Sequence, residues 1–397
     1  MCTPSNPSLS EHFESLPDPR IDRQKLHKLI DILSITICAA LCGAEGWTDV
    51  EEFGKAKKDW FQTFLELPNG IPSHDTFGRF FSLLDPQAFQ DTFLQWVQSV
   101  NDLFKGQVVA IDGKCLKRSH DHGKGKAAIY MVSAWATANQ LVLGQVKTDE
   151  KSNEITAIPK LLRALEVKGC IVTIDAAGCQ KGIATQIRSQ GADYVLALKG
   201  NQGTLREYVE DYFTTARVND FHGVPHDYHE TTDGGHGRVE IRRHWSIEQF
   251  RDFPGKAAWK DFRSIGMVES ERHIGSEVTI DCRYYISSLP ADAKQLAASV
   301  RAHWGVENGL HWCLDVGFRE DDCRVRQGYA SENFAVVRHI VWLANYYSCG
   351  NACTRRISAF LISDVLEMIK TRLDGGNFFS QSYAGLLPDS VLHRYAQ

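Results

Sequence analysis

The sequence predicts an α/β (α+β) protein: a mixed-sheet core that carries a β-rich insertion and is preceded by a helical N-terminal domain. Three observations predict it. The first hundred residues place apolar side chains at helical spacing, with Phe77, Phe80, Phe81 and Leu84 in one stripe and Phe89, Phe93, Trp96, Val97 and Val100 in the next. From Gln107 the period shortens to that of strands, in brief β-branched runs separated by turn residues and helices. Between residues 205 and 290 strand-like runs recur around a glycine-rich stretch, and helical spacing returns at Ala293.

Each element follows from its own residues. Lys25 to Cys42 is apolar nearly all round, which predicts a helix buried on several sides, broken by Gly43 and Gly46. Thr48 opens a Thr-x-x-Glu capping box that ends at Glu51. Pro72-Ser73 precedes the next helix, and Asp85-Pro86 stops it and starts another. Residues 1–104 therefore read as a compact helical domain. A DNA-reading helix-turn-helix is one use for it, but its aromatic stripes are also what a core requires.

Gln107–Ile111 then reads as a strand, and Ile129–Ala138 as a second, joined through a tight turn at Asn139-Gln140 to a third at Leu141–Val146. A helix over Glu154–Glu166, a strand at Ile171–Ile174, a helix near Gln180–Ser189 and a strand at Tyr194–Leu198 follow. Three strands, the last two a hairpin, then helix, strand, helix, strand is the order of the ribonuclease H-like fold. In that sheet the first and fourth strands lie side by side, so the core's first part, 105–204, brings Asp112 and Asp175 together. The β-rich insertion spans 205–290, with runs at Arg238–Trp245, Arg263–Glu269, Glu277–Ile280 and Arg283–Ser287. Closing helices occupy 291–373: one over Ala293–Leu314, one from Ser331 through Ala344, and an amphipathic one over Ile357–Arg372, before a tail at 374–397.

Composition narrows the class. A 43% apolar and 23% charged chain of 397 residues is ordinary for a globular protein that can bury a large core. No run is long enough to span a bilayer, and the first residues lack the basic and apolar regions of a signal peptide, so a cytoplasmic protein is expected. The 11 cysteines are scattered without a Cys-x-x-Cys pair; Cys38/Cys42 and Cys349/Cys353 read as packed, reduced thiols. The net charge of −5 argues weakly against nucleic acid, yet local clusters govern phosphate binding more than the total does. One such cluster runs from Lys114 through Lys117 and Arg118 to Lys126, and another holds Arg238, Arg242, Arg243 and His244. Either cluster can equally be a solvated face.

The chemistry begins at Val108-Val109-Ala110-Ile111-Asp112-Gly113-Lys114, an apolar run ending in a carboxylate, and recurs at Ile171-Val172-Thr173-Ile174-Asp175. Two aspartates at neighbouring strand ends repel each other unless a hard divalent cation, magnesium or manganese, lies between them. A third carboxylate, Glu307, comes from the helix in which His303, Glu307, His311 and Asp315 recur every four residues. The alternatives are a charged surface face, or zinc held by His303 and His311, for which seven intervening residues are too many. Two ions on three carboxylates suit in-line displacement at phosphorus. Lys114 and Lys199 would face the same rim as phosphate contacts, or stand as exposed lysines.

These residues resemble a family. The chain is similar to DDE transposases of the ISAs1 (H-repeat-associated) type within the IS4-like group. The resemblance rests on Ala110-Ile111-Asp112-Gly113-Lys114, Thr173-Ile174-Asp175-Ala176 with Cys179-Gln180, Leu198-Lys199-Gly200-Asn201-Gln202 and His236-Gly237-Arg238-Val239-Glu240. It continues in His303-Trp304-Gly305-Val306-Glu307-Asn308, His311-Trp312 through Val316 and Glu320-Asp321, and near the start in Asp18-Pro19-Arg20 and Ile71-Pro72-Ser73-His74-Asp75-Thr76-Phe77. Each piece is weak, but all of them in order, over nearly the whole length, are specific.

The resemblance implies that Asp112, Asp175 and Glu307 are the catalytic triad and bind two magnesium (or manganese) ions. It implies nicking at an insertion sequence's ends and attack of the freed 3′-hydroxyl on target DNA by a homo-oligomer assembled on those ends. Expected DNA contacts are Lys114, Lys117 and Arg118, then Lys199 and Asn201, then Arg238, Arg242 and Arg243 in the insertion, and Arg301, His303 and His311 beside the glutamate. The wider group has tyrosine, arginine and lysine around the glutamate where this chain has Val300, His303 and Leu314. A ribonuclease H-like nuclease, or a catalytically silent transposase-derived DNA-binding protein, are the other readings.

Overall fold

The computed structural model describes residues 9–100, 105–119, 128–138, 141–148, 154–235, 237–250 and 255–349. The expected turn at 139–140, the helix at 357–372, the tail and much of the basic run after Ser119 lie outside these residues.

The helices of the first hundred residues are α1 (Leu9–Glu14), α2 (Leu29–Leu41), α3 (Trp47–Ala56), α4 (Lys58–Phe61), α5 (His74–Leu83) and α6 (Pro86–Val100). Strands β1 (Val108–Leu116), β2 (Ile129–Ala136) and β3 (Leu141–Lys147) follow, then α7 (Glu154–Ala164), β4 (Ile171–Ile174), α8 (Lys181–Ser189), β5 (Asp193–Leu198) and α9 (Gly203–Val218). Next come β6 (Asp227–Gly235), β7 (Arg238–Ile247), β8 (Ser264–Ile274) and β9 (Glu277–Ser287), then α10 (Ala293–Gly305), α11 (Trp312–Val316) and α12 (Ala330–Cys349). These elements form two compact units, one drawn from residues 1–102, 115–130 and 309–397, the other from 103–114 and 131–308.

The helical unit is built on the aromatic stripes. Phe77, Phe80, Phe81, Phe89 and Phe93 are fully buried, and Trp47 stacks on Phe81 at 4.9 Å while meeting Phe334 of α12 edge-on at 5.2 Å. Asn333, also on α12, donates both amide hydrogens to the carbonyls of Phe81 and Leu84, each at 2.8 Å. The turn before α12 comes so close that a Cβ on Gly328 (φ +54°) would lie 2.3 Å from the Ser82 carbonyl oxygen. Backbone cannot yield there as a side chain can. Gly328→Ala is expected to destabilise the protein by about 2 kcal/mol or more, measured as a lower urea midpoint at unchanged slope. The α3 cap differs from the Thr48–Glu51 box: the helix starts at Trp47, and Asp49 reaches back to accept from the N–H of Gly46 at 3.0 Å and of Glu45 at 2.9 Å. Glu51 is engaged elsewhere, accepting from the N–H of His74 at 2.7 Å.

The second unit is one nine-stranded sheet among the described residues, in the order β3-β2-β1-β4-β5-β9-β8-β7-β6. The first five positions are the ribonuclease H-like order expected from the sequence: an antiparallel β2–β3 hairpin, then β1, β4 and β5 running parallel. The insertion strands extend this same sheet, because β9 pairs antiparallel with β5 from Val195↔Ser287 to Leu198↔Tyr284. Two details depart from the sequence reading. The runs at 277–280 and 283–287 are one strand, since the turn is made at Gly275 (φ +59°) and the ladder to β8 is unbroken through Asp281 and Cys282. The segment leading to the glycines is itself a strand, β6, paired with β7 along its whole length.

Helix α10 lies on one face of this sheet. Its Leu296 and Val300 form a buried cluster with Ile171 of β4, Val195 of β5, Val268 of β8 and Tyr285 of β9, with Trp304 packed alongside. Gly266 of β8 lets the helix approach, since a Cβ there would meet Leu296 Cδ2 at 2.5 Å. The helix expected to run unbroken to Leu314 changes pitch: α10 ends at Gly305, Val306–His311 is a π-helical turn, and α11 resumes at Trp312. Gly305 and Gly309 weaken the α-helical preference on either side of Glu307, and single π turns inside helices concentrate at functional sites.

Candidate active site

The register of β1 against β4 sets the site. Val108 pairs with Ile171, Ala110 with Thr173 and Ile111 with Ile174, where the parallel pairing ends. Asp112 and Asp175 are the next residues on the two chains, so they emerge side by side. Side chains alternate along a strand, which puts Val108, Ala110 and Asp112 on the same face as Ile171, Thr173 and Asp175. That is the face α10 covers, because Ile171 packs against Leu296 and Val300. Farther along the helix His303 Nδ1 stands 3.1 Å from Thr173 Oγ1. Glu307 follows His303 by four residues, in the π turn, and is exposed.

The electrostatics follow from this juxtaposition. Burial pushes the Asp112 carboxyl up to about 7; a backbone hydrogen bond at Gly113 opposes it, and the smaller effects of the negative charges of Asp175, Glu307 and Glu154 add to the rise. Asp175 is held by its own loop: its Oδ1 accepts from the N–H of Ala177 at 3.0 Å and of Gly178 at 3.4 Å. The loop is clamped in turn from the end of β5, where Asn201 donates to the Ala176 carbonyl at 2.6 Å and Gln202 to the Cys179 carbonyl at 2.9 Å. His303 is held below the usual imidazole range chiefly by burial, with Asp175 pulling the other way.

Glu154, the first residue of α7, is the neighbour that sequence reasoning missed. A Cβ on Gly113 would sit 2.1 Å from Glu154 Oε1, so the glycine after Asp112 is what admits this carboxylate. Burial raises the Glu154 carboxyl, and the charge of Asp175 adds to the rise. An acidic residue in the first turn of a helix is a common dipole partner, and nothing in the sequence separated this one from that ordinary role.

The remaining candidates are dispersed. Lys199 is exposed at the end of β5, and Lys114 is half-buried two residues beyond Asp112. In the helical unit Lys117 pairs with Asp321 at 2.7 Å and Arg118 with Asp322 at 3.3 Å. On the insertion strands Arg243 is shared by Glu230, Glu269 and Glu271, at 3.1, 3.0 and 2.7 Å. Arg242 pairs with Asp233 and Glu240. Both arginines thus meet carboxylates across the ladder, and a phosphate would have to compete for them. Arg238 is exposed, and Arg301 is exposed with Asp233 at 3.8 Å. His311 closes the π turn and is half-buried.

Two family models match the chain, a "DDE_Tnp_1-associated" region over residues 10–97 and a "Transposase DDE domain" over residues 103–344. The chain belongs to the DDE transposase family. It is 44% identical over 339 residues to the H repeat-associated putative transposase YhhI of Escherichia coli (strain K12), which covers 84% of this chain and 88% of that protein. It is 43% identical over 331 residues to the putative transposase YncI of Escherichia coli O157:H7, covering 82% and 84%. Over only 71 residues it is 48% identical to a K12 protein named inactive transposase YbfQ. Among solved structures it is similar to the piggyBac transposase in a synaptic complex with hairpin DNA, at 11% identity and a TM-score of 0.42, covering 98% of this chain and 80% of that one. The strand order, not this last likeness, carries the fold assignment of this DDE transposase.

DDE transposases use divalent metal ions. Among the described residues no three carboxylate, imidazole or thiol groups already enclose a common point that could hold an ion. The donor set nevertheless fits one: oxygen ligands suit a hard cation, and the charges of Asp175, Glu307 and Glu154 all bear on Asp112. No described helix is long and apolar enough to cross a membrane.

Proposed function

We propose that this transposase cuts DNA at the ends of an insertion sequence and joins the freed 3′ ends to target DNA, with Asp112, Asp175 and Glu307 as its catalytic and metal-binding carboxylates. The observation that carries the reading is the β1–β4 register. It delivers two aspartates side by side beneath α10, whose continuation bears Glu307. Two magnesium ions, or manganese in their place, would supply activation of the attacking oxygen and neutralisation of the leaving one. The chain's own part is to fix the carboxylates. The Ala177 and Gly178 amides hold Asp175, Asn201 and Gln202 clamp its loop, and Gly113 leaves room for Glu154 next to Asp112.

DNA is the partner, bound as element ends and target by more than one copy of the chain. Lys199 and Arg238 are exposed and well placed to meet phosphates, and Lys114, two residues beyond Asp112, and Arg301, with Asp233 at 3.8 Å, would join them. Lys117, Arg118, Arg242 and Arg243 would first exchange a carboxylate partner for phosphate, and Asn201 acts on the Asp175 loop. The free cysteines among the described residues agree with a reducing compartment, which for a bacterial element is the cytoplasm.

The test is an excision assay on a donor plasmid in which the gene's own genomic flanks bracket a marker. Excision is expected with the unaltered chain and is expected to vanish with Asp112→Ala, Asp175→Ala or Glu307→Ala, each still retaining flank DNA in a gel shift. Undiminished excision by any of the three would remove that residue from the site.

A further inference from the structure

We propose that His303 and Thr173 form a tether that fixes the gap between Asp175 and Glu307, so that His303 is a positioning residue and not a DNA contact. The proposal rests on the reading of Asp112, Asp175 and Glu307 as the metal-binding carboxylates.

The geometry points there from three sides. Thr173 is 2% exposed and lies two residues before Asp175 on the same face of β4. A valine would fill a buried strand position equally well, whereas a buried hydroxyl costs stability unless it is hydrogen-bonded. Its partner is the His303 ring, at 3.1 Å. His303 lies in the last turn of α10, four residues before Glu307. It is thus a polar link from helix to strand close to the point where the backbone passes into the π turn at Val306, beside the apolar contact that Trp304 makes with the sheet. Gly305, between tether and π turn, has no heavy atom within 4 Å of where a Cβ would be, so packing at that residue does not fix the path. The apolar contacts of Leu296, Val300 and Trp304 seat the helix on the sheet, and such contacts are non-directional. The Thr173–His303 bond is directional, and it joins the element bearing Asp175 to the element bearing Glu307.

A DNA contact and a tether differ in what Thr173 does. The experiment uses the full-length protein and compares Thr173→Val, Thr173→Ser, His303→Leu, the Thr173→Val/His303→Leu double variant and Asp175→Asn. Three quantities are read: Mn2+ affinity by electron paramagnetic resonance, cleavage rate at saturating DNA with Mg2+, and DNA affinity in EDTA. We expect Thr173→Val and His303→Leu each to weaken Mn2+ binding and cleavage by about 10- to 100-fold, with DNA affinity in EDTA unchanged. The double variant should be no worse than the weaker single, because both remove the same bond. Thr173→Ser, which keeps the hydroxyl, should retain both Mn2+ binding and cleavage, and it carries the test if the valine variant fails to fold. Loss of DNA affinity in His303→Leu alone, with Thr173→Val behaving as the unaltered chain, overturns the tether in favour of a DNA contact. Independent, multiplying losses in the double variant also overturn it. If Asp175→Asn abolishes cleavage while both single variants cleave normally, only the tether falls; if Asp175→Asn cleaves normally, the carboxylate reading falls and the tether with it.

Discussion

Asp175→Asn is expected to lower Mg2+-dependent DNA cleavage by at least about a thousandfold while leaving the fold and the DNA affinity in EDTA nearly intact. The substitution preserves shape, and the amide oxygen can still accept from the N–H groups of Ala177 and Gly178, so the loop after β4 keeps its course. What is lost is a negative ligand for a hard cation, which an amide replaces poorly. Asp112→Asn should behave alike. The measurement is single-turnover cleavage of end-containing DNA, with circular dichroism as the check on folding. A loss of under tenfold would show that chemistry does not run through this carboxylate.

The second large effect concerns the protein without metal. Burial above all, with the smaller charge effects of Asp175, Glu307 and Glu154 and against the Gly113 hydrogen bond, holds the Asp112 carboxyl at about 7 in the folded protein, where an ordinary aspartate has 3.8. The sign follows from proton counts. Between those two values the folded state keeps a proton that the unfolded state has released, so stability falls as pH rises through the window and levels off above about 7. Each pKa unit corresponds to about 1.4 kcal/mol, which makes the full loss at most roughly 4 kcal/mol. A divalent cation supplies the opposite charge at the pH where the carboxylates are ionised. Saturating Mg2+ should therefore raise the melting temperature by several degrees more at pH 8 than at pH 5.5. In Asp112→Asn the metal-free protein should be the more stable at pH 8, and most of the pH dependence of the Mg2+ effect should disappear. An equal Mg2+ shift at both pH values in the unaltered chain would mean that the ion binds elsewhere.

Much of this site could be read from residues alone, for a definite reason. Val109–Ile111 and Ile171–Ile174 are buried in the parallel part of the sheet, where strands are near-continuous apolar runs, and the first charge marks where the β1–β4 pairing stops, although β1 itself runs on to Leu116 instead of ending at Ile111. The order of strands and helices then fixed which ends are neighbours. What escaped the sequence depends on register and on side-chain direction. Asp281-Cys282 looked like a break because polarity rises there, yet the ladder from β8 to β9 runs straight through it. Arg242 and Arg243 read as a basic patch, and only the pairing of β6, β7 and β8 reveals the carboxylates that meet them from neighbouring strands, Asp233 for Arg242 and Glu230, Glu269 and Glu271 for Arg243. His303 shares a four-residue period with Glu307, His311 and Asp315, and a period cannot tell a ring buried on Thr173 from one facing solvent. Glu154 has no periodic signal, since its role comes from the space left by Gly113.

Asp112, Asp175 and Glu307 are proposed to hold the metal. Crystals of the protein soaked in Mn2+ and measured at the manganese absorption edge test it most directly. An anomalous peak is expected at coordination distance from Asp112 and Asp175, with Glu307 drawn in, and no such peak in Asp175→Asn. Manganese bound only at other residues, with the three carboxylates left apart, would contradict it.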